Sequence, residues 1–142
     1  MPQDPNCIFC KIAAGQIPAA KVLETGAVVA FLDIAPVAPG HLLVVSKEHY
    51  ARLSETPPDV AAALAAELPR LTRAVLASTG ATALNVLQND GREAGQVVEH
   101  IHFHLIPRRA GDEFRYHWPR NPYAEGGMEQ MRASITKALG IS

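Results

Sequence analysis

The chain reads as an α+β protein with about five antiparallel strands, one long helical segment and a C-terminal helix. Three observations predict this. Short apolar runs bounded by Gly, Pro and Asp recur between residues 22 and 107. A single Ala/Leu-rich stretch from Pro57 to Ser78 carries little β-branching, as a helix prefers. Residues 100–107 alternate histidine with apolar side chains, which is the period of a strand.

Taken in order, Cys7 to Ala14 is expected to form a short helical turn. Val22 to Thr25 and Val28 to Leu32 read as strands joined by a tight turn at Thr25-Gly26-Ala27. Ile34 to Gly40 holds two prolines and a glycine and is a loop. His41 to Ser46 is the third strand. In the long helix Pro69 should kink or split the segment, because it supplies no N–H and crowds the preceding turn. Thr82 to Leu87 and His100 to Pro107 complete the sheet, and short turns between the strands make it antiparallel. Residues 125–139 make the last helix. The chain is expected to be one domain over residues 1–142, with a core at 6–109 and a tail and helix at 110–142.

Composition excludes several classes. At 142 residues and 48% hydrophobic with 19% charged, the chain is long enough and apolar enough to bury a core. A formal net charge of −1 and the lack of a basic run give no reason to expect nucleic-acid binding. No apolar run approaches the roughly 20 residues of a membrane span, and MPQDPNC is not a signal segment. Two cysteines three apart are poorly placed for a disulfide framework. The cytoplasm is the expected compartment.

The most informative segment is EHIHFHLIPR. In a strand His100, His102 and His104 line one face, about 7 Å apart, while Ile101, Phe103 and Leu105 point the other way. Imidazole titrates near neutral pH, binds metals and serves as a nucleophile. The row therefore reads as a metal site or as a nucleophile with helpers. Just upstream, Gln88 to Gln96 is a polar connection containing Gly91 and Gly95. Gly95 lacks a β-carbon, and successive amides there either form an anion-binding nest or an ordinary turn. Cys7-x-x-Cys10 is a zinc half-site, a redox pair or two buried thiols.

With these segments on view, the chain resembles the histidine triad (HIT) superfamily, whose signature His-x-His-x-His reads here as HIHFHLIP. CIFCKI at 7–12, FLDIAPVAPGHLLVVSKEH at 31–49 and NDGREAGQVVEHIHFHLIPR at 89–108 stand in family order, so the likeness runs from Asn6 to about Arg109. It is to the branches that cleave nucleoside phosphoramidates and dinucleoside polyphosphates. The resemblance implies a HIT-like fold, a homodimer with the long helix at its interface, and a purine nucleotide substrate.

It also implies roles. His102 would be the nucleophile, forming a nucleotidyl-histidine that water then cleaves, with net retention at phosphorus. His104 would contact the phosphate or the bridging atom, and His41, from PGH, would stabilise developing charge. Asp33 would take the ribose hydroxyls; from its sequence context alone it is equally a turn-forming Asp. Ile8, Phe9, Ile12 and Phe31 would sandwich the base; without the resemblance all four are core residues. Asn89 and the Gly95, Gln96 and Val97 amides would hold phosphate oxygens. Val97 departs from the family, many of whose members carry Ser or Thr there, so a hydroxyl contact is absent. The zinc-bearing branch implies one structural zinc held by Cys7, Cys10, His49 and His100, a closed shell with no open position for water.

Gly111 to Phe114 and Trp118 resemble a segment of bacterial-type relatives. His117 is expected to be an exposed tail residue, and Arg108 and Arg109 either face a second phosphate or are solvated. The competing classes are a catalytically weak nucleotide-binding regulatory or scaffold dimer and a zinc-binding interaction module. A complete triad with His102 present argues against the first.

Overall fold

The structure, a computed structural model, describes residues 3–115 and 118–141. His117 lies outside the described residues. In chain order the elements are α1 (Ile8–Ala13), β1 (Lys21–Glu24), β2 (Val28–Leu32), β3 (Leu42–Ser46), α2 (Pro58–Thr79), β4 (Ala83–Gln88), β5 (His102–Arg108) and α3 (Gly127–Leu139). Single 3-10 turns stand at Leu53–Glu55 and Arg92–Ala94. The five strands form one antiparallel sheet in the order β1-β2-β3-β5-β4. Only β1 to β3 is a meander. The chain leaves β3 through α2, returns as β4 at the edge, and then inserts β5 beside β3.

That insertion makes β5 a central strand with paired neighbours on both sides. Val45 pairs with His102 and Leu43 with His104, while Val44 pairs with Phe103 and Leu42 with Leu105. Because directly opposed residues share a face, the sheet sorts its side chains cleanly. On one face Val28, Ala30, Leu42, Val44, Ile101 and Leu105 pack under Leu64, Leu71 and Val75 of α2. On the other, Val29, Phe31, Leu43 and Val45 pack with Cys7, Phe9, Cys10 and Ile12 of the α1 region. Both faces of β2 and β3 are buried, so VVAFL and LLVVS are continuous apolar runs without alternation. Phe103 packs against the α2 face with Ile101 and Leu105, as the alternation predicts.

Two expectations need correction. Pro69 does not split α2, which runs unbroken over 22 residues. Pro69 and Ala65, the residue whose carbonyl loses its partner, are both exposed, so water is available to that carbonyl. The fifth strand begins at His102 and not at His100. Residues 98–100 bend, with the His100 amide donating to Val98 O (2.9 Å) and the Ile101 amide to Tyr50 O (2.7 Å).

α3 stands apart in composition and packing. None of its residues is buried, yet Met128, Met131, Ile135 and Leu139 recur at helical spacing. Among the described residues no helix is long and apolar enough to cross a membrane.

Candidate active site and metal centre

His102 and His104 project from β5 onto the α1 face of the sheet, with ring centroids 5.0 Å apart. Phe9 packs edge-on against His102 at 5.1 Å and against His100 at 5.8 Å. His41 enters from the start of β3, with its ring 5.2 Å from that of His104. His100, set on the bend before β5, turns to His49, 5.0 Å away. The row of three is thus divided between two sites by the two-residue shift of the strand start.

Hydrogen bonds fix which nitrogen of each ring carries the hydrogen. His102 Nδ1 lies 2.6 Å from His100 O, and a carbonyl only accepts, so Nδ1 is protonated and Nε2 carries the lone pair. His41 Nδ1 accepts from the Val37 amide at 3.1 Å, so its Nε2–H donates to His104 Nδ1 at 2.9 Å. His104 is left with Nε2–H free to donate. The site therefore offers a bare nitrogen on His102 beside a donor on His104.

Burial holds these rings neutral. It pushes His104 down to about 4, helped by the neighbouring His102 and His41, and opposed by the Asp33 charge. Burial also lowers His41 and His102, again against Asp33. A neutral His102 is a competent nucleophile; a protonated one is not.

Asp33 follows β2 and is partly buried. One carboxylate oxygen accepts from the Ala35 amide at 2.9 Å and the other lies 3.7 Å from His41 Nε2. It is both a turn-forming residue and a charge beside the histidines. Phe9, Ile12 and Phe31 are buried, Phe9 stacking edge-on with Phe31 at 5.5 Å. Of the four apolar residues expected at a base, Ile8 alone is exposed.

The 89–97 loop is more internally bonded than its sequence suggests. Gly95, at φ +101, closes the 3-10 turn by donating its amide to Arg92 O (2.9 Å), and the Gln96 amide donates to Gly91 O (3.1 Å). A β-carbon on Gly95 would stand 3.4 Å from Asn89 Nδ2, so the glycine lets that amide pack close. Val97 is 89% exposed, and its amide finds no acceptor among the described residues. Of the three amides expected to hold phosphate, two have acceptors within the loop and Val97 does not.

Arg108 is neither free nor merely solvated. It is bonded to Asp112 at 2.7 and 2.8 Å, to Asn85 Oδ1 at 2.7 Å and to Phe114 O at 2.6 Å, with its guanidinium 4.7 Å from the Phe114 ring. These contacts fasten the tail to β4 and β5. Arg109 reaches back to Thr79 O at the end of α2.

The second site gathers Cys7, Cys10, His49 and His100, whose ligand atoms all lie within 4.8 Å of one another. His100 Nε2 donates to Ser46 O at 2.7 Å, so its Nδ1 lone pair faces inward. That nitrogen is 3.2 Å from His49 Nδ1, 3.3 Å from Cys7 Sγ and 3.6 Å from Cys10 Sγ, and Cys10 Sγ is 3.4 Å from His49 Nδ1. A tetrahedral ion with ordinary zinc–nitrogen and zinc–sulfur bonds separates its ligands by about 3.3–3.7 Å. The donor set and spacing are compatible with zinc. Amides of Cys10 and Asp4 point at the two sulfurs, each at 3.4 Å, where a metal-bound sulfur would accept them. Both cysteines are free of disulfide and buried.

Asp33, His41 and His104 form another tight group of possible ligands. Here the tautomers oppose a metal: the Val37 amide occupies His41 Nδ1, so Nε2 holds the hydrogen, not a free lone pair.

A sheet that lines two histidines and a lone-pair tautomer along one strand, beside a four-ligand cage, defines a histidine-triad protein. The chain matches the HIT domain over residues 14–111, and it belongs to the HIT family. Cys7 and Cys10 precede that segment. The chain is 39% identical to a Schizosaccharomyces pombe protein named adenosine 5′-monophosphoramidase hnt1, over 94% of this chain and 98% of that one. Its fold matches the crystal structure of a Streptococcus mutans UA159 protein at a TM-score of 0.92 and 40% identity, covering 96% of this chain and 87% of the other. A zinc-bound histidine triad family protein from Mycobacterium smegmatis matches at a TM-score of 0.74 and 36% identity, covering 96% and 98%.

Proposed function

We propose that the protein is a nucleotidyl hydrolase or transferase. Its substrates would be purine nucleoside 5′-phosphoryl compounds, AMP phosphoramidates and esters before dinucleoside polyphosphates. The observation that carries this reading is the tautomer pair: a lone pair on His102 Nε2 beside a hydrogen on His104 Nε2. The similarity to a relative named as a monophosphoramidase supports the substrate class.

In the proposed reaction His102 Nε2 attacks phosphorus in line. The Nε2–P bond forms, the bond from phosphorus to the amine breaks, and its electron pair leaves with the nitrogen. His104 Nε2–H hydrogen-bonds the phosphoryl or bridging atom as charge develops there, and His41 holds His104 in that orientation. Water then cleaves the adenylyl-histidine, releasing AMP and restoring the lone pair. Over the cycle the amine gains one hydrogen of that water. Asp33 takes the ribose hydroxyls, Ile8 and the edges of the buried Phe9, Ile12 and Phe31 meet the base, and Asn89 with the Val97 amide holds phosphate oxygens. Zinc on Cys7, Cys10, His49 and His100 would be structural, tying α1 to the bend before β5 and so fixing the His100 carbonyl that orients His102.

A homodimer through the long helix α2 is the expected assembly, and α3, which has no buried residue among those described, offers it a further apolar face. The apolar stripe of α3 would add a second surface for the other copy beside α2, and sedimentation of the intact chain against one ending at Ala124 tests it: the intact chain runs as a dimer and the shortened one as a weaker dimer that dissociates on dilution.

The test of the function is AMP release from adenosine 5′-phosphoramidate by wild type and by His102→Asn. Release by wild type alone supports the reading. AMP binding without turnover moves the protein to the regulatory class, and zinc-dependent folding without nucleotide binding moves it to the interaction module.

A further inference from the structure

Gln96 is buried to 5% exposure, and both ends of its side-chain amide are hydrogen-bonded. Oε1 accepts from the Gly91 amide at 2.8 Å, and Nε2 donates to Ala51 O at 2.6 Å and to Val98 O at 3.0 Å. Its own backbone amide donates to Gly91 O at 3.1 Å. Gly91 and Gln96 are thus joined by two bonds that close the 91–96 segment into a ring. Nε2 then anchors the ring to residue 51 and to the strand approach at residue 98.

The same segment is held from outside by a second contact. Arg52 Nε is 2.5 Å from Asp90 Oδ1, and the Ser54 amide donates to Asp90 Oδ2 at 2.8 Å. Arg52 lies so close over the loop that a β-carbon on Gly91 would stand 2.7 Å from its guanidinium. Next along the chain, the Ile101 amide donates to Tyr50 O. Residues 50–54 therefore form a seat on which residues 90–101 rest. Among the described residues the amides of 97–99, just beyond Gln96, have no acceptor, and Val97 is the first of them and 89% exposed.

We infer that Gln96 is a positioning residue for phosphate recognition: its side chain fixes the loop on the 50–54 seat and thereby aims the Val97 amide at a substrate phosphate. The inference rests on the proposed nucleotide site and refines it, since both Gln96 side-chain N–H donors are spent on Ala51 O and Val98 O and none is left for a phosphate. Arg52 and Asp90 act in the same direction from the solvent side, where the pair is partly exposed and correspondingly weaker.

The test compares binding of AMP with binding of adenosine by calorimetry, using the full chain with its metal. The variants are Gln96→Met, which keeps the shape and removes the three side-chain bonds, and Asp90→Asn, which sits at the surface and keeps an acceptor for Ser54. Wild type is expected to bind both ligands. Gln96→Met should weaken AMP by about tenfold, the worth of a lost hydrogen bond to a charged group, and leave adenosine unchanged. Asp90→Asn should show the same selectivity with a smaller effect, which keeps the test available if Gln96→Met folds poorly. Equal AMP affinity in wild type and both variants would overturn the inference, as would an equal loss for AMP and adenosine, the mark of a merely structural residue. Failure of wild type to bind either ligand would instead overturn the nucleotide site itself, and the inference with it.

Discussion

His41 and His104 are joined ring to ring, Nε2 of one lying 2.9 Å from Nδ1 of the other, and the Val37 amide decides which nitrogen carries the hydrogen. A backbone donor in the loop before β3 thus sets the state of a side chain on β5. The His100 carbonyl does the same for His102. Two main-chain groups make the pair complementary, one ring presenting a lone pair and the other a hydrogen.

The tautomers are directly measurable. In long-range proton–nitrogen correlation spectra near neutral pH, His102 should show a protonated Nδ1, and His41 and His104 a protonated Nε2. A His41 protonated at Nδ1 would break the relay from Val37. It would then leave His104 Nδ1 without its donor.

The pH dependence has a definite sign. His104 is held at about 4, chiefly by burial, against an ordinary value of about 6.5 when unfolded. Its neutral form is the one that accepts from His41. kcat/KM should therefore be flat from pH 8 to about 6 and fall in acid towards about 4. A half-maximal point near 6.5 would contradict burial of the ring. For stability, the unfolded state binds more protons than the folded one between about 4 and 6.5. Stability should fall as pH drops through that window and level off below it, which acid-dependent urea melts would show.

Removal of the metal should loosen the fold before it touches chemistry. One zinc per chain is expected by elemental analysis, and His49→Ala should lower both occupancy and Tm. A ligand held about a hundredfold above its Kd adds a few kcal/mol, or on the order of 10 °C for a chain of this size. The fully loaded enzyme should show no open-site signature: a small anion such as cyanide should not inhibit it, because a four-ligand shell leaves it nowhere to bind. Unchanged Tm with zinc absent would contradict a structural role.

The sequence was most legible where period and burial agree. The His/apolar alternation placed Ile101, Phe103 and Leu105 under α2, and unbroken apolar runs marked β2 and β3 as buried on both faces. It was least legible where main-chain bonds decide. Nothing in EHIHFH announces that His100 lies on a bend and parts company with His102, because that depends on Tyr50 O taking the Ile101 amide. Pro69 reads as a kink or a split, and the split is absent because its exposure, which makes the lost bond tolerable, is a tertiary fact. The insertion of β5 between β3 and β4 follows from the α2 crossover, which turn signals do not encode. Gln96 read as a backbone ligand because a side chain that satisfies its own loop has no sequence signature. Arg108 read as facing a second phosphate or solvent because its partners Asn85, Asp112 and Phe114 come together only in the fold.

The central claim is that His102 Nε2 forms a covalent bond to phosphorus. The most direct measurement mixes wild type with adenosine 5′-phosphoramidate, quenches it during turnover under alkaline denaturing conditions, and maps the protein by mass spectrometry. The account predicts one adenylyl group on the peptide containing His102, lost on brief acid treatment and absent from His102→Asn. AMP release with no adenylylated peptide, or adenylylation that survives in His102→Asn, would contradict it.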